Sequence, residues 1–231
     1  MIPTLFNRRA MLAALASLPV AARAPGRILH RDDFRHGLGQ WRIEATGDAR
    51  VHAQSGVLDI DSPAGLTLWF LPELTGPIAI DYDVRAVSAG GLHDDVSDVN
   101  AFWMATDPAM SGGSVLQKRR GGVFEDYDLL RTYYVGIGGN RNTTTRMRRY
   151  IGKAGQRPLL PEHDRPGKAD MLAPNRWFRL RLIADGQRIA VERDGATLFD
   201  MTDDAPYRHG HFGVRTTQSH IQLRNFSISR P

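Results

Sequence analysis

Along most of this chain apolar and polar residues alternate one by one. Ile78-Ala79-Ile80-Asp81-Tyr82-Asp83-Val84-Arg85 shows the period-two pattern of a strand with one face buried. Comparable short runs fall at residues 26–32, 40–44, 56–60, 66–71, 100–105, 176–183, 188–193, 196–201 and 210–229, and no stretch sustains a helical period. Between the later runs lie Asp185-Gly186 and Asp194-Gly195, residue pairs that supply the positive φ angles of tight hairpin turns. Many short strands with turn signals at this spacing predict an all-β fold, a two-sheet β-sandwich of the jelly-roll kind. With no internal repeat and no Pro/Gly/Ser linker, residues 24–231 read as a single β-jelly-roll domain.

The same alternation assigns faces. In Thr132-Tyr133-Tyr134-Val135-Gly136-Ile137 the apolar parity is Tyr133, Val135 and Ile137, which sends Thr132 and Tyr134 to the opposite face. After a Gly-Gly-Asn turn, Asn142, Thr144, Arg146, Arg148 and Tyr150 share one parity, and Thr145, Met147, Arg149 and Ile151 the other. The first set is assigned to an open cleft. In 100–105, Phe102 and Met104 suit the core, leaving Trp103 between two alanines as a platform for a sugar ring. Phe212 and Val214 take the inward parity of the last strand, which turns His211 and Arg215 outward; Ile221 and Leu223 do the same for His220. Each assignment has a plainer alternative: a solvated strand face for the arginines, a core position for Trp103, structural roles for the two histidines.

Charge sharpens the picture around that cleft. Residues 129–161 hold seven basic side chains, Arg131, Arg141, Arg146, Arg148, Arg149, Lys153 and Arg157, and no acidic one. Guanidinium forks on alternate positions of a strand suit planar, two-point capture of a carboxylate or phosphate. The N-terminus places this chemistry outside the cytoplasm. Asn7-Arg8-Arg9-Ala10-Met11-Leu12, a short apolar run and Ala21-Ala22-Arg23-Ala24 form a basic region, a hydrophobic region and a small-residue cleavage site. Residues 1–23 therefore read as an export signal resembling the twin-arginine type, with imperfect matches at Asn7 and Met11 that leave the general secretory route and a retained lipid-free anchor as alternatives. The apolar run is shorter than the roughly 20 residues that span a bilayer. Removing Arg8, Arg9 and Arg23 from the 30 Lys+Arg leaves 27 against 25 Asp+Glu, a nearly neutral protein that does not suit a nucleic-acid partner. The absence of cysteine leaves the fold to its core alone.

Asp32-Asp33-Phe34, Gly39-Gln40-Trp41, Gly56-Val57-Leu58, Gly210-His211-Phe212-Gly213-Val214-Arg215-Thr216-Thr217 and Asn225-Phe226-Ser227-Ile228 resemble the concanavalin-A/laminin-G-like jelly rolls of exported bacterial carbohydrate-degradation proteins. The likeness is nearest to families that accompany rhamnogalacturonan and other uronic-acid polysaccharide systems. It implies a curved front sheet forming an open cleft for sugars and a flatter back sheet. It also admits a structural calcium near Asp32-Asp33, whereas His93, Asp94, Asp95 and Asp98 fit no standard calcium loop, so no metal ligand set is assigned and no other cofactor is expected.

The chemistry expected of the cleft is β-elimination on a uronic-acid glycan, that is, an exported polysaccharide lyase, periplasmic or secreted, whose partner is an acidic polysaccharide or oligosaccharide. The reaction needs a neutralised uronate carboxylate, a base for its α-proton and an acid for the leaving oxygen. Arg146 and Arg148 with Asn140 or Asn142 supply the first, Tyr134 the base or acid, and His220 or His211 its partner. Trp103, Asn140, Asn142, Tyr150, His211 and Arg215 complete the expected substrate contacts. Two alternatives stand beside this: a glycoside hydrolase with acids from loops (Asp94, Asp95, Asp98, Glu125, Asp126 or Asp128), and a non-catalytic carbohydrate-binding module.

Overall fold

The structure is a computed structural model that describes residues 26–231, so the export signal read at 1–23 lies outside the described residues. Its strands are β1 (Ile28–Asp32), β2 (Trp41–Ala45), β3 (Arg50–Gln54), β4 (Val57–Phe70), β5 (Leu74–Thr75), β6 (Ile78–Ala86), β7 (Val99–Thr106), β8 (Arg131–Gly138), β9 (Thr144–Ile151), β10 (Asp164–Arg165), β11 (Phe178–Asp185), β12 (Arg188–Arg193), β13 (Ala196–Thr202) and β14 (His209–Ser229). All named pairings are antiparallel. The all-β jelly-roll expectation holds, and the Asp185-Gly186 and Asp194-Gly195 pairs sit at the β11–β12 and β12–β13 hairpins with Gly186, Asp194 and Gly195 at positive φ.

Two long strands fold the sheet over on itself. The runs read separately at 56–60 and 66–71 are one strand, β4, and β14 is longer still. The first half of β14 pairs with β7, its second half with β6, and β4 runs alongside across the change. Gln218 at φ 46° breaks the register between Thr217 and Ser219, and such a bulge bends a strand and strengthens its twist. The front layer is then β10-β9-β8-β7-β14-β4-β2, and the back layer is β13-β12-β11-β6-β14, flanked by β1, β4 and β3.

Between the layers lies the main core. Trp41 packs on Phe226 and Phe70 with ring centroids 5.0 and 5.1 Å apart, and Phe212 stacks on Phe226 at 5.5 Å. Each buried ring of this kind contributes roughly 1.5–3 kcal/mol of transfer free energy. A second apolar cluster sits on the other, concave side of the front layer. There Trp69, Phe102, Tyr134 and Tyr150 are covered by Val115, Tyr127 and Leu130 from the long connection between β7 and β8.

Trp103 is the clearest departure from the expected facing. It is fully buried in the main core against Tyr133, ring centroids 5.4 Å apart, and Phe102 takes the concave face. The reason is local: Met104 adopts φ 54° within a bulge that breaks the β7–β8 register between Trp103 and Thr106. Trp103 and Met104 consequently both enter the core, and an alternation counted backwards from Met104 comes out inverted.

Candidate functional site

The concave face is laid out by strand register. One row across it reads Thr67, Arg215, Asn100, Gly136, Arg146, Asp164; the next reads Trp69, Gly213, Phe102, Tyr134, Arg148. Side chains directly opposite on neighbouring strands stand about 4.5–5.5 Å apart, so each row is a contact series. Residues 107–130 cover the Trp69 and Gly213 end. What stays open is a pocket of about 430 Å³ over β7, β8 and β9, lined by Asp98, Asn100, Tyr134, Arg146 and Arg148, with Phe124 and Arg157 on one wall and Asn140 and Arg141 on another.

Gly136 creates the middle of this pocket. A Cβ there would lie 2.8 Å from the Tyr134 hydroxyl and 2.9 Å from Asn100 Oδ1, so both groups reach into the space a side chain would fill. Asn100 Oδ1 is buried without a protein partner, while its Nδ2 donates to Asp98 Oδ1 at 3.2 Å. A buried polar atom left unpaired costs roughly 1–3 kcal/mol, which is tolerated where a ligand group completes it. Asp98 also accepts a hydrogen bond from the Ser97 hydroxyl. Burial raises the Asp98 carboxyl above the ordinary carboxylate range despite these two donors. Burial also lifts the Tyr134 hydroxyl well above a free phenol, with Tyr150 and Asp98 adding to it, so Tyr134 keeps its proton at neutral pH.

The arginines are not equivalent. Arg146 grips Asp164 through both Nε (2.8 Å) and Nη2 (3.0 Å), and Arg157 grips Asp128 in the same two-point manner while lying 4.3 Å over the Phe124 ring. Arg148 donates Nη1 to the Arg157 carbonyl and, among the described residues, forms no ion pair; the same holds for Arg141 at the rim. The free cationic character of the pocket is therefore carried by Arg148 and Arg141.

Residues 60–226 match the family described as "Domain of unknown function (DUF6250)". The chain belongs to the DUF6250 family. That span contains every pocket residue named above. None of the curated proteins matches this DUF6250 chain. Its fold is shared with a protein of unknown function with galectin-like fold from Bacillus subtilis (TM-score 0.67, 15% identity, covering 89% of this chain and 97% of that one). It is also shared with carbohydrate-binding module CBM66 from B. subtilis (TM-score 0.56, 10% identity, 82% and 95%). A third likeness is to a LamA variant from Z. galactanivorans in complex with laminaritriose and laminaritetraose (TM-score 0.57, 10% identity, 90% and 100%).

Of the residues expected at the site, this DUF6250 structure brings Tyr134, Arg146, Arg148 and Asn140 together around one pocket. The others lie elsewhere. Tyr150 has the expected facing but is fully buried, its ring 5.6 Å from Tyr134 and 6.5 Å from Phe124, so it supports the pocket from below. Arg215 likewise faces the concave side yet is 1% exposed, held by Thr67 Oγ1 and the Gly122 carbonyl at 3.0 Å each. His211 is buried under residues 107–130, with Nε2 3.0 Å from Ser114 Oγ, and burial lowers its pKa. His220 stands beyond the Gln218 bulge, where Asp94 (2.8 Å) and Asp59 (3.0 Å) hold it. Asn142 turns away from the pocket, its amide exchanging hydrogen bonds with the backbone of Leu172 at 2.8 and 3.0 Å.

Asn100, Asp98, Gly136 and Phe124 are the pocket groups that strand parity did not place in the β-elimination site. Asn100 was recoverable: it shares the parity of Phe102, and both follow once Trp103 is put in the core. The acidic groups raised as metal ligands have protein partners: Asp32 accepts from Phe34 N–H and Trp41 Nε1 at 2.8 Å each, and Asp94 accepts from Ala89 and Gly91 N–H. Among the described residues, no group of three or more His, Asp or Glu side chains is arranged to hold a metal ion.

Proposed function

We propose that the pocket binds an acidic saccharide and cleaves the bond beside a uronate by β-elimination, in a periplasmic or secreted protein. The observation that carries this reading is the convergence of the Tyr134 hydroxyl and Asn100 Oδ1 over Gly136, one register position from the ion-pair-free guanidinium of Arg148. The saccharide class is supported by the shared fold with a carbohydrate-binding module and with LamA holding laminari-oligosaccharides. The acidic class is supported by Arg148 and Arg141.

In this reading Arg148 pairs with the uronate carboxylate and draws charge from the α-carbon. Asp98, a carboxylate whose proton affinity is raised by burial, takes the α-proton. The electron pair of the broken C–H bond becomes the new C=C bond, the C–O bond to the neighbouring sugar breaks, and Tyr134 gives its proton to the leaving oxygen. Neither His211 nor His220 enters the reaction. Asp95 and Asp98 both line the pocket, which favours hydrolysis by a carboxylate pair as the second reading.

Incubation with a panel of uronate polysaccharides separates the two. A rise in the ultraviolet absorbance of the unsaturated uronate selects the lyase, new reducing ends without that absorbance select the hydrolase, and retention without either selects a binding module. Tyr134→Phe is expected to keep saccharide binding and to lose elimination, because the ring stays and the transferable proton goes.

A further inference from the structure

A curved sheet of seven strands would ordinarily offer a groove running across all of them, able to hold the middle of a polymer. In this chain residues 107–130 fill half of that groove. Trp69 and Phe102 are fully buried, and Arg215 is nearly so, although all three point from the concave face. Tyr127 stacks on Phe102 with centroids 5.4 Å apart and lies 6.2 Å from Trp69. Its hydroxyl donates to Glu44, which also accepts from Trp69 Nε1 at 2.9 Å and from the Arg120 N–H at 3.1 Å. Arg120 in turn forms a buried ion pair with Asp107.

The filling is fixed in place rather than hinged. Gly122, at φ 91°, lies so close to β4 that a Cβ on it would come within 2.3 Å of the Gly65 carbonyl oxygen, and one on Gly65 within 2.2 Å of the Gly122 carbonyl oxygen. Two glycines let the backbones meet without side chains between them. Lifting the segment would expose the aromatic cluster to water and break the hydrogen bonds that Tyr127 and Arg120 make to Glu44.

The inner wall of the pocket is the edge of this plug. Phe124 is held between two guanidinium groups, Arg157 at 4.3 Å and the buried Arg215 at 4.8 Å. The opposite side is the β9–β10 margin, where Arg146 and Asp164 are about one-third exposed, and beside it Arg141, in the connection from β8 to β9, is exposed. The pocket's volume of about 430 Å³ lies in the lower half of the roughly 300–1,000 Å³ range of small-molecule sites, room for about one or two sugar rings.

We infer that the pocket is a dead end that takes the terminus of a glycan chain, with the rest of the chain leaving over the β9–β10 margin. The inference rests on the saccharide reading above and makes the protein exo-acting. On this inference the cleft implied by the jelly-roll resemblance is blocked at the Trp69 end by residues 107–130 and open over β7, β8 and β9.

The test uses Tyr134→Phe protein, which is not expected to consume its ligand, and two ladders of size-fractionated chains, one of oligogalacturonates and one of neutral laminari-oligosaccharides. Calorimetric titration is expected to give one protein per chain at every length, with an affinity that stops rising after the shortest members. A stoichiometry that climbs with chain length, several proteins on one long chain, overturns the inference. With active protein on polymer, small products should accumulate while viscosity stays near its starting value, and an early viscosity collapse counts equally against it. Binding confined to the neutral ladder defeats the uronate reading while the chain-end count still judges the dead end. Binding to neither ladder overturns both.

Discussion

Gly136 decides more of the site than any charged residue. Its φ is ordinary for a strand, so the backbone accepts alanine, yet the added methyl would press on the Tyr134 hydroxyl and on Asn100 Oδ1. Gly136→Ala is therefore expected to lower turnover on the order of 10²-fold, the cost of displacing reacting groups by about an ångström. Thermal melting should shift only slightly, and initial rates beside a melt check both. The arginines separate in the same way. Arg148→Ala should lose on the order of 10²-fold in kcat/KM with partial recovery in Arg148→Lys, since a point charge cannot reproduce the planar fork. Arg146→Ala should lose much less, because its fork is already closed on Asp164. Equal losses in the two alanine variants would contradict this division. The sequence showed that Arg146 and Arg148 share a face. It did not show that Asp164, eighteen residues later, neutralises one of them.

The connection between β6 and β7 is held by histidines read as catalytic candidates or loop groups. His220 bonds Asp94 and Asp59, and His93 lies 2.6 Å from Asp61, pinning residues 88–98 to β4 and β14. The hydrogen bond that His220 donates to Asp59, together with the one it donates to Asp94, raises its pKa to about 9, against burial. A histidine with a raised pKa stabilises the folded state fully below its unfolded value near 6.5 and loses that contribution as pH rises through about 9. Burial works against ionisation of Asp59 and Asp94, but their hydrogen-bond donors outweigh it and hold both below 3.8, so their share is lost only as pH falls beneath that value. Hydrogen exchange should find the Ala89 and Gly91 amides protected near neutral pH, with protection falling as pH passes 9. His220→Gln should flatten that dependence. Protection that does not change between neutral pH and pH 10 in the unaltered protein would show that the clamp does not hold the loop. The alternation that placed His220 outward was right for its strand, but the Gln218 bulge moves that stretch of β14 out of the pocket's row.

At the scale of the molecule, Trp103 and Phe102 exchange the roles that simple alternation assigns them. Trp103→Ala is expected to destabilise the fold by about 3–5 kcal/mol, as for other buried aromatics, and to leave saccharide affinity unchanged in protein that remains folded. Denaturant unfolding and calorimetric binding measure the two halves, and a lost affinity without lost stability would return Trp103 to the site. The sequence by itself determined the β-class, the DG hairpins, the facing of β8 and β9 and the gathering of Tyr134, Arg146 and Arg148 on one surface. These are properties of a two-residue repeat and of turn chemistry, both written within a few neighbouring positions. Only the tertiary structure decided that Met104 inverts β7, that Asp164 and Asp128 close two of the arginine forks, and that residues 107–130 lie inside the groove instead of around it. Those outcomes depend on contacts between residues far apart in the chain. The meeting of Gly65 with Gly122, or of Glu44 with Tyr127, leaves no periodicity in either segment, and it is fixed only when the layers close and the buried charges must find partners.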